Sequence, residues 1–177
     1  MVRSLHVIIW AILQSQPTMS ETTARSYAKV VQAEAKGHHF DPLTMVSMAH
    51  YESHWQASAG NGHCFGLVGV CASNYAVCRS DPAGAPCEAK KAALLSGSQN
   101  LRVSAAIITK NREFCRRKTG RADLHHWLAS YQGLNRPARG IWCGQKLVNG
   151  RWRDARRHRI TTRVIERRRW LIRNMPK

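Results

Sequence analysis

The stretch AHYESHW, residues 49–55, holds two histidines four residues apart with a glutamate between them. Zinc proteases use H-E-x-x-H on a helix, where both histidines bind the metal and the glutamate follows the first histidine directly. Here the glutamate comes one place later. Since a helix turns about 100° per residue, Glu52 would point about 180° away from the direction shared by His50 and His54. The spacing therefore disfavours zinc chemistry and indicates that the two histidines are polar surface or cleft-edge residues.

Glu52 is then a single carboxylate at the carboxyl end of an apolar helix, beside Trp55. The negative end of the helix macrodipole and a desolvating aromatic neighbour both disfavour the charged form of a carboxyl group, as a general acid at neutral pH requires. The alternative is an exposed helical glutamate without a role. The surroundings of Glu52 must decide between these two interpretations.

Two helices are predicted ahead of Glu52. The first covers Ser20 to Gly37, with serine as the amino-terminal cap and glycine as the stop. The second begins at Asp41 with Pro42 at its first helical position, and it ends near Ser53. Glu52 is thus expected at a helix end, where its side chain projects toward whatever follows.

Residues 57–97 are rich in Gly, Ser, Pro and Cys, which predicts loops with a short hairpin around Phe65 to Val70. This region holds four of the six cysteines, and an even count favours three disulfides and an oxidising compartment. Reduced core cysteines are the alternative. No C-x-x-C pair occurs to support a metal knuckle, and six cysteines allow 15 connectivities, so the pairing stays open. The cysteines are Cys64, Cys71, Cys78, Cys87, Cys115 and Cys143.

Helical periodicity resumes after the loop region. One helix is predicted over Ser98 to Lys118, and a shorter one begins at Asp123. A last helix, residues 159–173, is expected to bury one side that carries Ile160, Val164, Leu171 and Ile172. The chain is therefore predicted to be mainly α, with 20–177 as one domain.

The first residues, 1–19, form a separate apolar segment. Arg3 precedes a short apolar run from Val7 to Leu13, which is typical of a secretory signal and too short to span a bilayer as a mature helix. The alternative is an amino-terminal core or interfacial helix. With the cysteines, the signal interpretation predicts a periplasmic or secreted protein.

Several segments together resemble one family. DPLTMVSMAHYESHW followed by FGLVGV is similar to the opening of the lysozyme-like domain of soluble lytic transglycosylases, in which a helix ends in Glu-Ser plus an aromatic residue and a Gly-Leu-Met-Gln turn follows. SQNLRVSAAI resembles the family's helix that has an asparagine near its start. LASYQG resembles the family's Ala-Tyr-Asn-x-Gly motif, and TTRVIERRRWL resembles its last helix. The resemblance covers roughly Tyr27 to Leu171. It implies a lysozyme-like, goose-type helical domain with a short β-hairpin or loop region.

The resemblance also implies roles for individual residues. Glu52 would be the catalytic acid and base, and no metal or cofactor would be needed. The residues that would support substrate, shape the cleft, brace the site or contact the sugar are Ser53, Gly66, Leu67, Asn100 and Tyr131. For Asn100 the alternative to a role in the site is that of a helix-start residue. For Tyr131 the alternative is plain core packing.

The chain departs from the family pattern at three places. Gly69 stands where the family has glutamine, Gln132 stands where it has asparagine, and the Tyr-Val pair of the closing helix is not kept. The implied reaction cleaves the bond between N-acetylmuramic acid and N-acetylglucosamine in peptidoglycan and leaves 1,6-anhydro ends. The alternatives are hydrolysis, in which Asp81 or another acid positions water, and a degenerate transglycosylase that binds glycan without cutting it.

The charge of the chain predicts an anionic partner. Lys+Arg 28 minus Asp+Glu 10 gives +18, and Arg151–Lys177 has 11 basic and two acidic residues, which is +9 in 27 residues. We interpret this segment as the solvated face of an amphipathic helix that holds a monomer on the anionic cell wall, with no specific nucleic acid as partner. A non-catalytic module that binds glycan or nucleic acid is the alternative, because tryptophans are interspersed among the arginines.

Overall fold

The computed structural model describes residues 3–176, and within them the chain is mainly helical, with two small antiparallel sheets and three disulfides. This confirms the predicted mainly α class. None of the helices in the described part is long and apolar enough to cross a membrane. The helices are α1 Leu5–Ser15, α2 Glu21–Gly37, α3 Pro42–Glu52, α4 Ala76–Ser80, α5 Ala85–Leu94, α6 Gly97–Thr119, α7 Leu124–Tyr131 and α8 Arg159–Asn174. The strands are β1 Cys64–Phe65, β2 Val70–Cys71, β3 Ile141–Trp142, β4 Gln145–Val148 and β5 Arg151–Asp154.

The chain forms two compact units. The first contains the residues up to Ala105 and those from Arg168 onward, and the second contains Ala106–Arg167. In the first unit α1 packs against both α2 and α3. Nearly the whole of α3 is buried, including Leu43 and Met48, so the helix that ends in Glu52 runs through the core of this unit.

The amino-terminal apolar segment forms α1, a packed helix of the first unit. Ile8 and Ile12 are fully buried, and the ring of Trp10 stacks on that of Trp170 at 6.3 Å between centroids. In this structure the segment is therefore a core helix, which is the second of the two interpretations of its sequence.

The predicted caps of α2 and α3 are confirmed. The side chain of Ser20 accepts a hydrogen bond from the backbone amide of Thr23 at 3.2 Å. Asp41 accepts from the amide of Leu43 at 3.1 Å, and its other carboxylate oxygen lies 2.7 Å from a guanidinium nitrogen of Arg168. Because Asp41 both caps α3 and holds Arg168, the start of α3 is fixed by two independent contacts.

The region 57–97 contains the predicted hairpin, in which β1 and β2 pair with Cys64 opposite Cys71, and a disulfide joins these two residues. It also contains α5, in a stretch for which the sequence predicts loops. Its Ala- and Lys-rich sequence favours a helix intrinsically. Only Cys87 and Leu94 of this helix are buried, so no apolar stripe marked it. The disulfide Cys78–Cys87 ties α4 to α5.

The second unit contains a three-stranded sheet that the sequence did not predict. β3, β4 and β5 form a meander in chain order, and the disulfide Cys115–Cys143 joins α6 to the turn between β3 and β4. Most side chains of β4 and β5 are exposed, so these strands lack the alternation of apolar and polar residues that identifies a half-buried strand. Gln145 is an exception, since it is fully buried and donates to the hydroxyl of Thr119 at 2.6 Å.

The buried face of α8 differs from the predicted one. Val164 and Leu171 are buried as expected, but Ile160 is 42% exposed, and Thr161 and Ile165 are buried in its place. The assignment of Ile160 to the core side was therefore wrong. The helix begins at Arg159, so Ile160 belongs to its first turn.

Candidate active site at the end of helix α3

Glu52 is the last residue of α3, and the chain turns sharply after it. Ser53 follows as the C-cap, and His54 and Trp55 then take left-handed backbone conformations with φ of 52° and 63°. His54 is therefore not on the helix. The ring nitrogen Nδ1 of His50 lies 3.1 Å from the carbonyl oxygen of Ser15, so this histidine has a partner within the core of the first unit.

Ser53 links the end of α3 to the hairpin. Its hydroxyl lies 2.8 Å from the carbonyl oxygen of Leu67 and 3.2 Å from that of Ala49, one turn back on the helix. Ser53 is 6% exposed and Leu67 is fully buried, so this hydrogen bond is shielded from water. The residue after Glu52 thus fixes the distance between the helix end and the turn connecting β1 to β2.

Asn100, on the first turn of α6, holds the other side of the same turn. Its side-chain amide donates to the carbonyl oxygens of Phe65 at 2.8 Å and Leu94 at 3.1 Å, and its oxygen accepts from the backbone amide of Val68 at 2.8 Å. Asn100 is fully buried. Gly66 has φ +76°, and a Cβ there would collide with the amide of Asn100, so only glycine fits beneath it.

The turn passes directly beneath the carboxylate of Glu52. Gly69 has φ +62°, and a Cβ added to it would lie 3.2 Å from Oε2 of Glu52. The first unit therefore brings together five of the six predicted site residues. These are Glu52, Ser53, Gly66, Leu67 and Asn100.

The sixth predicted residue, Tyr131, ends α7 in the second unit and is half-buried. Its contact with the sugar or with Glu52 stays a prediction. The neighbouring amide that departs from the family pattern, Gln132, accepts a hydrogen bond from the hydroxyl of Thr161 at 2.7 Å. Gln132 therefore ties the end of α7 to the first turn of α8.

Glu52 itself is exposed, whereas Trp55 belongs to the core. The indole of Trp55 is 4% exposed and stacks on the ring of Tyr27 at 5.9 Å between centroids. Trp55 thus does not cover Glu52 as the sequence had suggested. Glu52 is accessible to solvent, and a bound polymer would have to supply the desolvation that was expected from the indole.

The other carboxylates of the first unit have evident local roles. Asp81 lies against Gly84, just ahead of the first residue of α5, where its charge is stabilised by the helix macrodipole. Each of the remaining four is within ion-pair distance of a basic side chain: Glu21 of Arg25, Glu34 of Arg102 and His38, Asp41 of Arg3 and Arg168, and Glu88 of Lys91. Asp81, the acid considered for positioning water, therefore has a structural explanation.

The second unit holds a polar cluster that the sequence analysis missed. Asp154 accepts from Nε2 of His125 at 3.2 Å, from Nε2 of His126 at 3.0 Å and from Arg121 at 3.2 Å. Nδ1 of His126 lies 3.4 Å from a carboxylate oxygen of Asp123, without hydrogen-bond geometry. Adjacent histidines were visible in the sequence, but nothing linked them to an aspartate 28 residues later.

The three side chains His125, His126 and Asp154 are close enough to hold a cation, with ligand atoms within 4.8 Å of one another. However, Asp154 already receives three donors, and one of them is the guanidinium of Arg121. The hydrogen bond from His126 is the main cause that lowers the pKa of Asp154. The pKa of His125 is lowered, chiefly by desolvation and then by the charges of His126 and Arg157. We therefore interpret the cluster as a hydrogen-bond network centred on Asp154, in which Nδ1 of the buried His126 has no hydrogen-bond partner.

Comparison with models of known protein families, with curated proteins and with solved structures found no match. The resemblance to soluble lytic transglycosylases therefore rests on the motifs of the sequence.

Proposed function

We propose that the chain cleaves the glycan strands of peptidoglycan as a lytic transglycosylase, with Glu52 as its single acid and base. The bond attacked is the one between N-acetylmuramic acid and N-acetylglucosamine. The product ends in a 1,6-anhydro sugar. A lysozyme-like fold belongs to the same proposal.

The observation that supports this most directly is the placement of Glu52. Glu52 is exposed at the end of a buried helix, and its carboxylate lies close to Gly69 of the turn. Ser53 and Asn100 clamp that turn from two sides through shielded hydrogen bonds. The turn beside the exposed glutamate is thus held in place, which suits an acid that must meet one glycosidic oxygen.

In the proposed reaction, protonated Glu52 gives its proton to the glycosidic oxygen, and the bond from that oxygen to C1 of the muramic residue breaks. The C6 hydroxyl of the same residue then closes onto C1. Its proton passes to the carboxylate of Glu52, which is thereby restored to its protonated form. No water is consumed, so no second carboxylate is needed to position it.

A hydrolytic muramidase would need an additional acid near Glu52. Asp81, the first candidate for that role, lies at the start of α5, and the other four carboxylates of the first unit are ion-paired. Within the first unit, the distribution of acids therefore favours the mechanism without water.

The compartment and the partner follow from disulfides and charge. Three disulfides fit a secreted or extracellular protein. We propose the bacterial envelope as its location, where the net charge of +18 attracts the enzyme to anionic peptidoglycan. Such attraction weakens as salt is added, because exposed charges are screened.

Digestion of purified peptidoglycan, with mass spectrometry of the soluble products, tests this function. The wild type is compared with Glu52→Gln and with Glu113→Gln, a control that makes the same change at another exposed helical glutamate. We expect anhydro-muropeptides from the wild type and the control, and none from Glu52→Gln.

Three other outcomes would change the proposed function. Products with reducing ends would mean a muramidase that has a second acid. Full activity in Glu52→Gln would contradict both glycan-cleaving mechanisms. No release by any of the three proteins, with the disulfides intact, would favour a binding module.

A further inference from the structure

The second unit contains a cavity of about 790 Å³ whose lining is strongly basic. Its wall includes side chains of α7, the following turn, β3, the segment 155–158 and the first two turns of α8. Apolar residues such as Ala129, Leu134 and Ile141 line part of it. Five arginines also line it: Arg136, Arg156, Arg157, Arg159 and Arg163. Small-molecule sites commonly have volumes of about 300 to 1,000 Å³, so the size fits a small ligand better than a polymer strand.

Most of these arginines have no carboxylate partner. Within residues 3–176, Arg156, Arg157, Arg159 and Arg163 form no ion pair, and the one acidic side chain that lines the cavity is Glu166. Uncompensated like charges around one cavity repel one another and destabilise the folded chain. Some arginines elsewhere are ion-paired, such as Arg25 with Glu21 and Arg168 with Asp41.

The start of α8 adds to the same positive potential. Its first turn holds no acidic residue and begins with Arg159, and Thr161 and Thr162 of this turn line the cavity. Basic side chains at a helix amino terminus oppose the macrodipole, which favours negative charge there. A conflict between local sequence and local structure is typical of functional sites. An anion bound in the cavity would resolve both this conflict and the repulsion among the arginines.

Arg136 differs from the other four because its side chain is held in place. One guanidinium nitrogen donates to the carbonyl oxygens of Gly133 at 3.2 Å and Asn135 at 3.1 Å. The planar guanidinium keeps further N–H groups for a ligand, in a fork that suits phosphate. The cavity thus combines one positioned arginine with four that carry no ion pair.

We propose that this cavity binds a chain of phosphate groups, either free or as the phosphate end of a small organic molecule whose remainder contacts the apolar residues. Several arginines and a helix amino terminus are both well suited to phosphate oxygens. Binding here does not depend on the chemistry assigned to Glu52.

Titration of the full-length, disulfide-bonded protein with inorganic triphosphate tests the site, by calorimetry and by thermal unfolding. Ligand in about 100-fold excess over its Kd is expected to raise the Tm by about 5 to 10 °C. Arg157→Ala with Arg163→Ala should weaken binding at least tenfold. The control, Arg169→Ala with Arg173→Ala, removes two exposed arginines of α8 that do not line the cavity, and it should change the Kd less than twofold.

Both variants change only exposed side chains, so both are expected to fold. The cavity variant should also have a higher Tm than the control in the absence of anions, because it removes the repulsion. Adenosine triphosphate distinguishes the two sources of phosphate. Tighter binding than triphosphate would support an organic ligand whose ring contacts the apolar residues, and equal binding would support recognition of the phosphates alone.

Three results would overturn the proposal. An equal loss in both variants would mean diffuse charge attraction instead of a site. Citrate binding as tightly as triphosphate would mean that phosphate is not what is recognised. Absence of triphosphate binding, together with binding of a single-stranded DNA oligonucleotide, would mean that the basic surface takes nucleic acid.

Discussion

Replacing Asn100 with alanine would test whether the turn beneath Glu52 depends on one buried side chain. The substitution removes the acceptor for the amide of Val68 and the donor to the carbonyls of Phe65 and Leu94. The Val68 N–H would be buried without a partner, which costs about 2 kcal/mol, and the two carbonyl oxygens that lose their donor cost about 1 kcal/mol each. Together these give a loss of about 4 kcal/mol in the free energy of unfolding. For a chain of this size that corresponds to a fall in Tm of about 8 to 16 °C.

The matched control is Asn111→Ala on the same helix. Asn111 is half-buried and makes one hydrogen bond, to the carbonyl oxygen of Ile107 at 2.9 Å, so its loss should cost about 1 kcal/mol or less. Asn100→Asp is a second comparison. It keeps an acceptor for Val68 but places an oxygen against two carbonyl oxygens, so we expect it to be at least as unstable as the alanine variant.

Circular dichroism melting gives the Tm, and hydrogen exchange of the Val68 amide gives a local readout. In the wild type this amide should exchange slowly, and in Asn100→Ala it should exchange much faster. The reasoning would be refuted if Asn100→Ala melted within about 2 °C of the control. It would also be refuted if the Val68 amide kept its protection.

Three further predictions concern the site, the disulfides and pH. Gly69→Ala and Gly140→Ala both place alanine at φ +62°, but only the first brings a Cβ to 3.2 Å from the candidate acid. Glycan release should therefore fall at least tenfold in Gly69→Ala and stay near wild type in Gly140→Ala. Replacing Cys115 and Cys143 with serine opens a loop with a sequence separation of 28. It should lower the free energy of unfolding in urea by about 3.5 kcal/mol. In the folded chain the pKa of His125 is lowered from 6.5, first by desolvation and then by neighbouring positive charges. The contribution of the neutral ring to stability is therefore fully present above the unfolded-state pKa of 6.5, and it is lost as the pH falls toward the folded-state pKa. His125→Gln should therefore flatten stability measured between about pH 7.5 and pH 5, and an unchanged slope would contradict this cause.

The sequence predicted the helices that carry their own start and stop signals. Ser20 and Asp41 cap α2 and α3 as expected, and the helix predicted to end near Ser53 ends at Glu52. Capping is local, since a side chain contacts an amide two or three positions away, so it can be recognised without tertiary information. The same is true of Gly120, which follows α6.

Features that depend on distant partners were not predicted. The contacts of Asn100 with Phe65 and Val68 cross more than 30 residues, and its role came from the family resemblance instead of from spacing. The sheet of the second unit was missed because strands such as β5 expose most of their side chains. The basic cavity was missed because the charge of the carboxyl-terminal segment was assigned to one helical face, whereas Arg136 comes from the turn after α7.

The order of the disulfides has a consequence for how the chain matures. Each cysteine is bonded to the next one along the chain: the first to the second, the third to the fourth and the fifth to the sixth. A polypeptide exported with its amino terminus leading presents its thiols to an oxidase in this same order. Oxidation of successive thiols as they emerge then yields the native pairing directly. Maturation of this chain should therefore require an oxidase and no isomerase to reshuffle its bonds.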